Sequence, residues 1–541
     1  MNRFARFAVA VLLLLVASAP VRSSAGASKV VEAACSMPHE YLVRVWRGTH
    51  PSRSAELLVI PKEPNFLGSS YPHSGPWDYL QRVPFLWYGP GYIPPVGAIE
   101  RPVTVADISP TQGELLGFDF DAPDGSPLKE ALVPAAERPD PPKLIVEVVW
   151  DAGGRAVTDE WWDKMQVLRS LIEEGAWYEN ATVGSSPSIT PATHATMGTG
   201  AFPRRTGQVD SEFRLGPRLE RAGQLGPALL NLPTFADLYD RAMGNEPIVG
   251  MIATVTWHLN MMSHGRLWGG GDKDIAIMRT TEEDEGAEGV RWNLQAKNSP
   301  FYSLPDYVND FPQLDSYFDV ADLADGTQDG LWRGHDIAEL RGGFDTPARI
   351  PYQTRLIEEV ISREGFGDDD VPDLFFTNYK LIDEVGHHFS LNGIEMGDTM
   401  AEQDAALGWL VDFLDEEVGE GSYVLIVTAD HGHQYDPEVS GAFQITPGQL
   451  AEDLTAEFDD DDDDVPAIQL VRTSQVYIDV EELGSNGFTV EDVAEYVVDY
   501  TKADAAPTGV RVPESEADDA VFAAAIPKAA IDDLPCLEAR E

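Results

Sequence analysis

Two cysteines in 541 residues, Cys35 and Cys536, are too few for a disulfide-stapled scaffold or a cysteine-ligated metal centre. Lying near opposite ends of the chain, they either join the termini in an oxidising compartment or remain two buried thiols. Basic residues are scarce as well, 38 Lys and Arg against 91 Asp and Glu, for a formal charge of −53. That balance excludes electrostatic binding to nucleic-acid duplexes or anionic membranes and implies a solvated acidic surface suited to high salt. The run Asp459 to Asp464 reads as a solvated loop, because no EF-hand spacing surrounds it. Long apolar runs are missing too. The stretch Phe7 to Ala17 follows Arg3 and Arg6 and precedes Ala25-Gly26-Ala27, so residues 1–27 read as a cleavable export signal, with a retained anchor as the alternative. The mature chain is expected to be secreted or extracytoplasmic, without stable membrane insertion.

Hydrophobic residues make up 43% of the chain, ample for a large core. Three strongly apolar runs each lead to an acidic residue: Leu144 to Trp150 before Asp151, Leu374 to Tyr379 before Asp383, and Tyr423 to Thr428 before Asp430. Such runs read as buried parallel strands, whose carboxyl ends are where α/β folds bind ligands. Two of these carboxylates have a histidine at ligand spacing, in Asp383-x-x-x-His387 and Asp430-His431, so distant segments are expected to build a metal site.

Between the strands, Asp159 to Glu174 and Met396 to Val418 have helical patterning. The Pro- and Gly-rich residues 28 to 140 contain a strand, Arg82 to Tyr88, and a helix, Val103 to Gly117, with Asp107 near its start. The proline-rich segment Ala136 to Pro142 reads as a linker. Val476 to Asp479 is expected to be an edge strand and Val490 to Tyr500 a late helix.

The segment from Ser188 to Gly200 reads as a helix start, with Thr190 at the N-cap and Pro191 at the first helical position. A hydroxyl there stands at the positive end of a helix dipole, where phosphate binds and a nucleophile can be activated. Alone, a Thr-Pro cap is most often only a cap. Four separated motifs give it more weight: Val148-Val149-Trp150-Asp151-Ala152-Gly153-Gly154, the Thr190 segment through Phe202-Pro203, Asp383-Glu384-Val385-Gly386-His387, and Thr428-Ala429-Asp430-His431-Gly432. Together they resemble the alkaline phosphatase superfamily, particularly its nucleotide pyrophosphatase/phosphodiesterase branch.

The resemblance implies an α/β fold, a three-layer αβα sandwich around a mostly parallel sheet. It implies a secreted hydrolase of small phosphate esters that acts through a phosphothreonine on Thr190 with two divalent metal ions. Asp151, Thr190, Asp430 and His431 would hold one ion; Asp383 and His387 would hold its neighbour. Zinc suits these ligands, and manganese or iron could use them.

Members of the superfamily usually complete the second ion's ligands with a histidine well downstream of the Asp-His pair, yet no histidine follows His433 here. The order His73, then Val83-Pro84-Phe85, Gly89-Pro90-Gly91, and Asp107-Ile108-Ser109-Pro110-Thr111, resembles the usual C-terminal part of these enzymes. The chain is therefore expected to be circularly permuted. Residues 28–135 would be the moved segment, 136–142 the linker and 143–541 the rest of a single catalytic domain (28–541), with His73 as the missing ligand. A surface-loop role for His73, and His433 as the rival ligand, are the alternatives.

Two departures bear on substrate. Where the phosphodiesterase branch places a phosphate-contacting asparagine, this chain has Ser211, which lacks an amide's reach. The strand end Gly250 to His258 lacks the Lys-x-Arg pair by which secreted monoesterases neutralise a phosphate monoester, which favours diesters. His258 or His264 would then touch the substrate. Phosphomonoester hydrolysis, transfer to an acceptor other than water, and a binding protein with a dead site are the rivals. A sulfatase is disfavoured because no cysteine stands at the nucleophile position. Oligomeric state is left open.

Overall fold

The computed structural model describes residues 28–280, 291–459, 465–507 and 511–538. The expected export signal and residues 460–464 of the acidic run lie outside the described residues.

The central sheet follows from the apolar runs. Its strands lie in the order Arg291–Asn293, Asp274–Thr280, Val249–Ala253, Asp373–Tyr379, Leu144–Trp150, Tyr423–Thr428, Phe85–Tyr88, Ala176–Tyr178, Gly97–Ile99, with Tyr302–Ser303 paired beside Asp274–Thr280. From Asp274–Thr280 through Tyr423–Thr428 the neighbours are parallel; Phe85–Tyr88 enters antiparallel.

Both faces of the sheet are covered, which is why the strands have no polar face. Leu144, Val146, Val148 and Trp150 point into a core formed with the helices Arg349–Glu364 and Ile394–Leu414. Ile145 and Val149 point into the opposite core, against Ile108–Leu116 and Phe235–Ala242. Alternation along one strand thus builds the expected three layers. Glu147 is the exception: it faces the second core fully buried, accepting only a 2.9 Å hydrogen bond from Gln112 Nε2.

A second, four-stranded antiparallel sheet runs Ile468–Val471, Gln475–Ile478, Leu57–Pro61, Phe522–Pro527. The expected edge strand is therefore internal, because Leu57–Pro61 from the other end of the chain covers its free side. The Asp159 to Glu174 helix is broken into Arg155–Glu160, a short turn Trp162–Lys164, and Gln166–Glu174. Asp404 on the Ile394–Leu414 helix caps the new start, accepting from the amides of Val167 (2.8 Å) and Leu168 (2.9 Å). Val103–Thr104 is a short strand rather than a first helical turn, paired with Ala181–Thr182; a capping box of Thr104 and Asp107 then starts the following turn. Cys35 and Cys536 form a disulfide, tying the first helix, Lys29–Ser36, to the C-terminal region. Among the described residues, no helix is long and apolar enough to cross a membrane.

Candidate active site

Sheet order makes the site. Asp373–Tyr379, Leu144–Trp150 and Tyr423–Thr428 are adjacent, with Tyr379 opposite Trp150 and Val149 opposite Thr428. Their carboxyl ends therefore leave one sheet edge within about 10 Å, two strand spacings. Asp151 and Asp430 follow their strands directly. Asp383 instead lies in the first turn of the helix Leu381–Phe389, so one helical turn puts His387 on its face.

Two groups of possible ligands converge there, each with its ligand atoms within 4.8 Å of one another: His73 with Asp383 and His387, and Asp151 with Asp430 and His431. His73 Nε2 and His387 Nε2 stand 3.3 and 3.4 Å from Asp383 Oδ1, and the His73 ring stacks on His431 at 3.8 Å. His433, the rival, is buried beside His387, with ring centroids 5.3 Å apart, outside that group of three.

The helix Thr190–Thr199 begins one residue earlier than expected. Ile189 takes the N-cap, so the Thr190 side chain is not spent on capping, and its Oγ1 lies 3.2 Å from His431 Nε2. His194, one turn on, has Nδ1 2.9 Å from the Thr190 carbonyl and Nε2 3.2 Å from Asn378 Nδ2.

The three residues expected at the substrate, His258, Ser211 and His264, have the following partners. His258 is buried with Nε2 3.1 Å from Asp151 Oδ2, backing a carboxylate of the site. Its helix, Thr256–Met262, packs on the Thr190 helix, which carries it inward. Ser211 sits in a turn where its amide donates to Asp210 Oδ1 (2.6 Å) and its carbonyl accepts from Ala222 (2.8 Å). No described contact joins Ser211 to Thr190 or to either group. His264 is engaged by Asp237, Nδ1 to Oδ2 at 2.6 Å, away from the site.

Two polar residues at this edge escaped the sequence reading. Asn378 donates to Asp151 Oδ2 at 3.1 Å. Lys380 places its ammonium 3.0 Å from Asp151 Oδ1 and 2.6 Å from Asp383 Oδ2. Their signal is position: each falls at the carboxyl end of a carboxylate-tipped strand.

Burial opposes ionisation of Asp151 and Asp383, but Lys380, together with His258 at Asp151 and with His387 and His73 at Asp383, outweighs it and holds both carboxyls below the usual carboxylate range. Burial, reinforced by Asp151, pushes Asp430 the other way. Burial keeps His73 and His431 neutral, the state in which an imidazole can ligate. Asp383 Oδ1 and Asp430 Oδ2 are buried acceptors without hydrogen-bond partners, and each faces histidine nitrogens of the site, at 3.3 to 3.4 Å. Orphaned carboxyl oxygens beside imidazole nitrogens fit divalent cations.

An α/β sandwich thus carries two clusters of carboxylates and histidines that could each hold a metal ion, beside a hydroxyl on the first residue of a helix. The sequence profile of the type I phosphodiesterase / nucleotide pyrophosphatase family matches residues 146–530, and the chain belongs to that family of phosphoric ester hydrolases. Two curated relatives illustrate the range. A protein named calcium-transporting ATPase from Myroides odoratus is 22% identical over 432 residues, 68% of this chain and 75% of that one. Alkaline phosphatase PafA from Elizabethkingia meningoseptica is 27% identical over 238 residues, 42% of this chain and 38% of its own length. A solved structure of wild-type PafA covers 66% of this chain and 76% of that one at 18% identity and a TM-score of 0.48.

Proposed function

We propose that the protein is a secreted phosphodiesterase that works through a phosphothreonine on Thr190 with two divalent cations, zinc being the natural choice for these ligands. The observation that carries this reading is the Thr190 hydroxyl at a helix N-terminus, not used in capping, 3.2 Å from His431 Nε2 and beside two clusters of ligand atoms. Asp151, Asp430, His431 and Thr190 would hold one ion, and His73, Asp383 and His387 the other. Bound there, the ions supply Lewis acidity to the phosphoryl oxygens.

Thr190 Oγ1 forms the bond to phosphorus as the ester oxygen leaves, and water then cleaves the phosphothreonine and restores the hydroxyl. The positive end of the Thr190–Thr199 helix favours the anion throughout. His194 orients this turn through the Thr190 carbonyl; Asn378 and His258 orient Asp151. The position of His73 beside Asp383, and the antiparallel entry of Phe85–Tyr88 next to Tyr423–Thr428, support reading the chain as permuted.

Phosphomonoester hydrolysis is the second reading, favoured by Lys380, a buried cation at the site, and by a relative named alkaline phosphatase. Turnover of bis-nitrophenyl phosphate and nitrophenyl phosphate, measured on wild type and Thr190→Ala with metal content alongside, separates the two. The proposal expects diester preference and a loss of at least about 10³-fold in the variant with its metal retained. Undiminished activity of Thr190→Ala overturns the mechanism. Unchanged metal content and activity in His73→Ala overturn the permutation.

A further inference from the structure

The ammonium of Lys380 touches one carboxylate of each ligand group, and the two contacts are not equivalent. On Asp383 it takes Oδ2, leaving Oδ1 without a hydrogen-bond partner and facing His73 Nε2 and His387 Nε2. On Asp151 it takes Oδ1, the oxygen that stands 3.6 Å from His431 Nε2. The other oxygen, Oδ2, already accepts from Asn378 and lies 3.1 Å from His258 Nε2. On Asp383 the oxygen facing the histidines is thus free, whereas the second group has a free oxygen on Asp430, Oδ2, but its other carboxylate meets His431 with an oxygen hydrogen-bonded to a buried cation.

We infer that Lys380 makes the two metal sites unequal: the His73, Asp383, His387 site binds a divalent cation tightly, and the Asp151, Asp430, His431 site binds one weakly. The asymmetry is electrostatic and geometric at once. At the first site Lys380 acts as a positioning residue, fixing the Asp383 carboxylate with Oδ1 toward the histidines. At the second, an entering cation has to take Asp151 Oδ1, the oxygen nearer His431, from its charge-assisted hydrogen bond with Lys380.

This inference rests on the metallohydrolase reading, and metal counting tests it independently of turnover. The zinc-loaded full-length protein is dialysed against graded chelator and its zinc counted per chain. Wild type is expected to lose its two ions in separate steps, at chelator activities differing by at least tenfold. Asp430→Asn is expected to abolish only the weakly held ion, and His73→Ala the tightly held one. Lys380→Met is expected to draw the two steps together by a factor of ten or more, because it frees Asp151 Oδ1 and loosens Asp383.

Steps as far apart in Lys380→Met as in wild type overturn the role of Lys380; should that variant not fold, Lys380→Gln is read in its place. A single step releasing both ions from wild type, or loss of the tight ion in Asp430→Asn, overturns the inference and leaves the hydrolase reading intact. A protein that never retains zinc overturns both.

Discussion

Gly386 and the imidazole of His433 share one space: a Cβ on Gly386 would stand 2.5 Å from the His433 ring. His433 is buried and held from behind, its Nδ1 accepting from the Gln434 amide at 2.9 Å, so it cannot retreat. The glycine of Asp383-Glu384-Val385-Gly386-His387 is thus a packing requirement that keeps the helix carrying Asp383 and His387 against the Asp430 segment. Gly386→Ala is expected to lower metal retention roughly 10- to 100-fold, the range for disturbing residues that orient ligands. Gly386→Ala with His433→Ala should recover part of it, as read by zinc content after dialysis. Full zinc content in the single variant would refute the coupling.

Glu147 gives the stability of the fold a pH dependence of its own. Burial pushes its carboxyl up from 4.5 to about 8, against one hydrogen bond from Gln112. Below about pH 4.5 folded and unfolded chains both hold the proton. Between about pH 5 and 8 the unfolded chain has lost it and the folded chain keeps it, so the folded state binds more protons and this group's contribution to stability falls as pH rises. Glu147→Gln is expected to raise Tm at pH 8, by an amount reflecting a few kcal/mol, and to leave Tm at pH 4.5 nearly unchanged. Equal shifts at both pH values would assign the effect to packing instead.

The disulfide links residues 501 apart in sequence. The half-buried Cys536 packs against a small core that includes Ala34, Met37, Leu534 and Leu537. Closing so long a loop restricts the unfolded chain strongly, and loss of a native disulfide costs about 2–5 kcal/mol. Cys35→Ser with Cys536→Ser is therefore expected to lower Tm by several degrees, and reductant should lower wild-type Tm to match. A double variant as stable as wild type would show that packing alone holds the two ends.

A charge of −53 repels itself at low salt. Raising ionic strength shortens the screening length from about 10 Å at 0.1 M to about 3 Å at 1 M and relieves that repulsion. Thermal stability measured from low to molar sodium chloride is expected to rise; a flat or falling profile contradicts the high-salt reading of the surface.

Much of the central sheet was legible in sequence because strands buried on both faces are almost wholly apolar, as Leu144–Trp150 shows with Glu147 as its one exception. Helix boundaries were less legible. Asp159 to Glu174 has the right periodicity for one helix, yet it breaks where Asp404, some 240 residues later, supplies a cap for the second piece. Val476 to Asp479 looked like an edge because the strand covering Gln475–Ile478 comes from residues 57–61. Both misreadings have one cause: a local pattern does not contain its distant neighbour.

The same division holds at the site. The sequence by itself determined the chemistry available there: which carboxylates tip buried strands, which histidines lie one helical turn or one residue from them, and which hydroxyl opens a helix. These follow from periodicity and backbone geometry, which act over a few residues. Tertiary structure alone decided that His73 rather than His433 joins Asp383 and His387, that His258 backs Asp151, and that Lys380 lies across both groups. Those outcomes depend on the order of strands in the sheet and on which charge is buried nearest which, and neither is a property of any short stretch of chain.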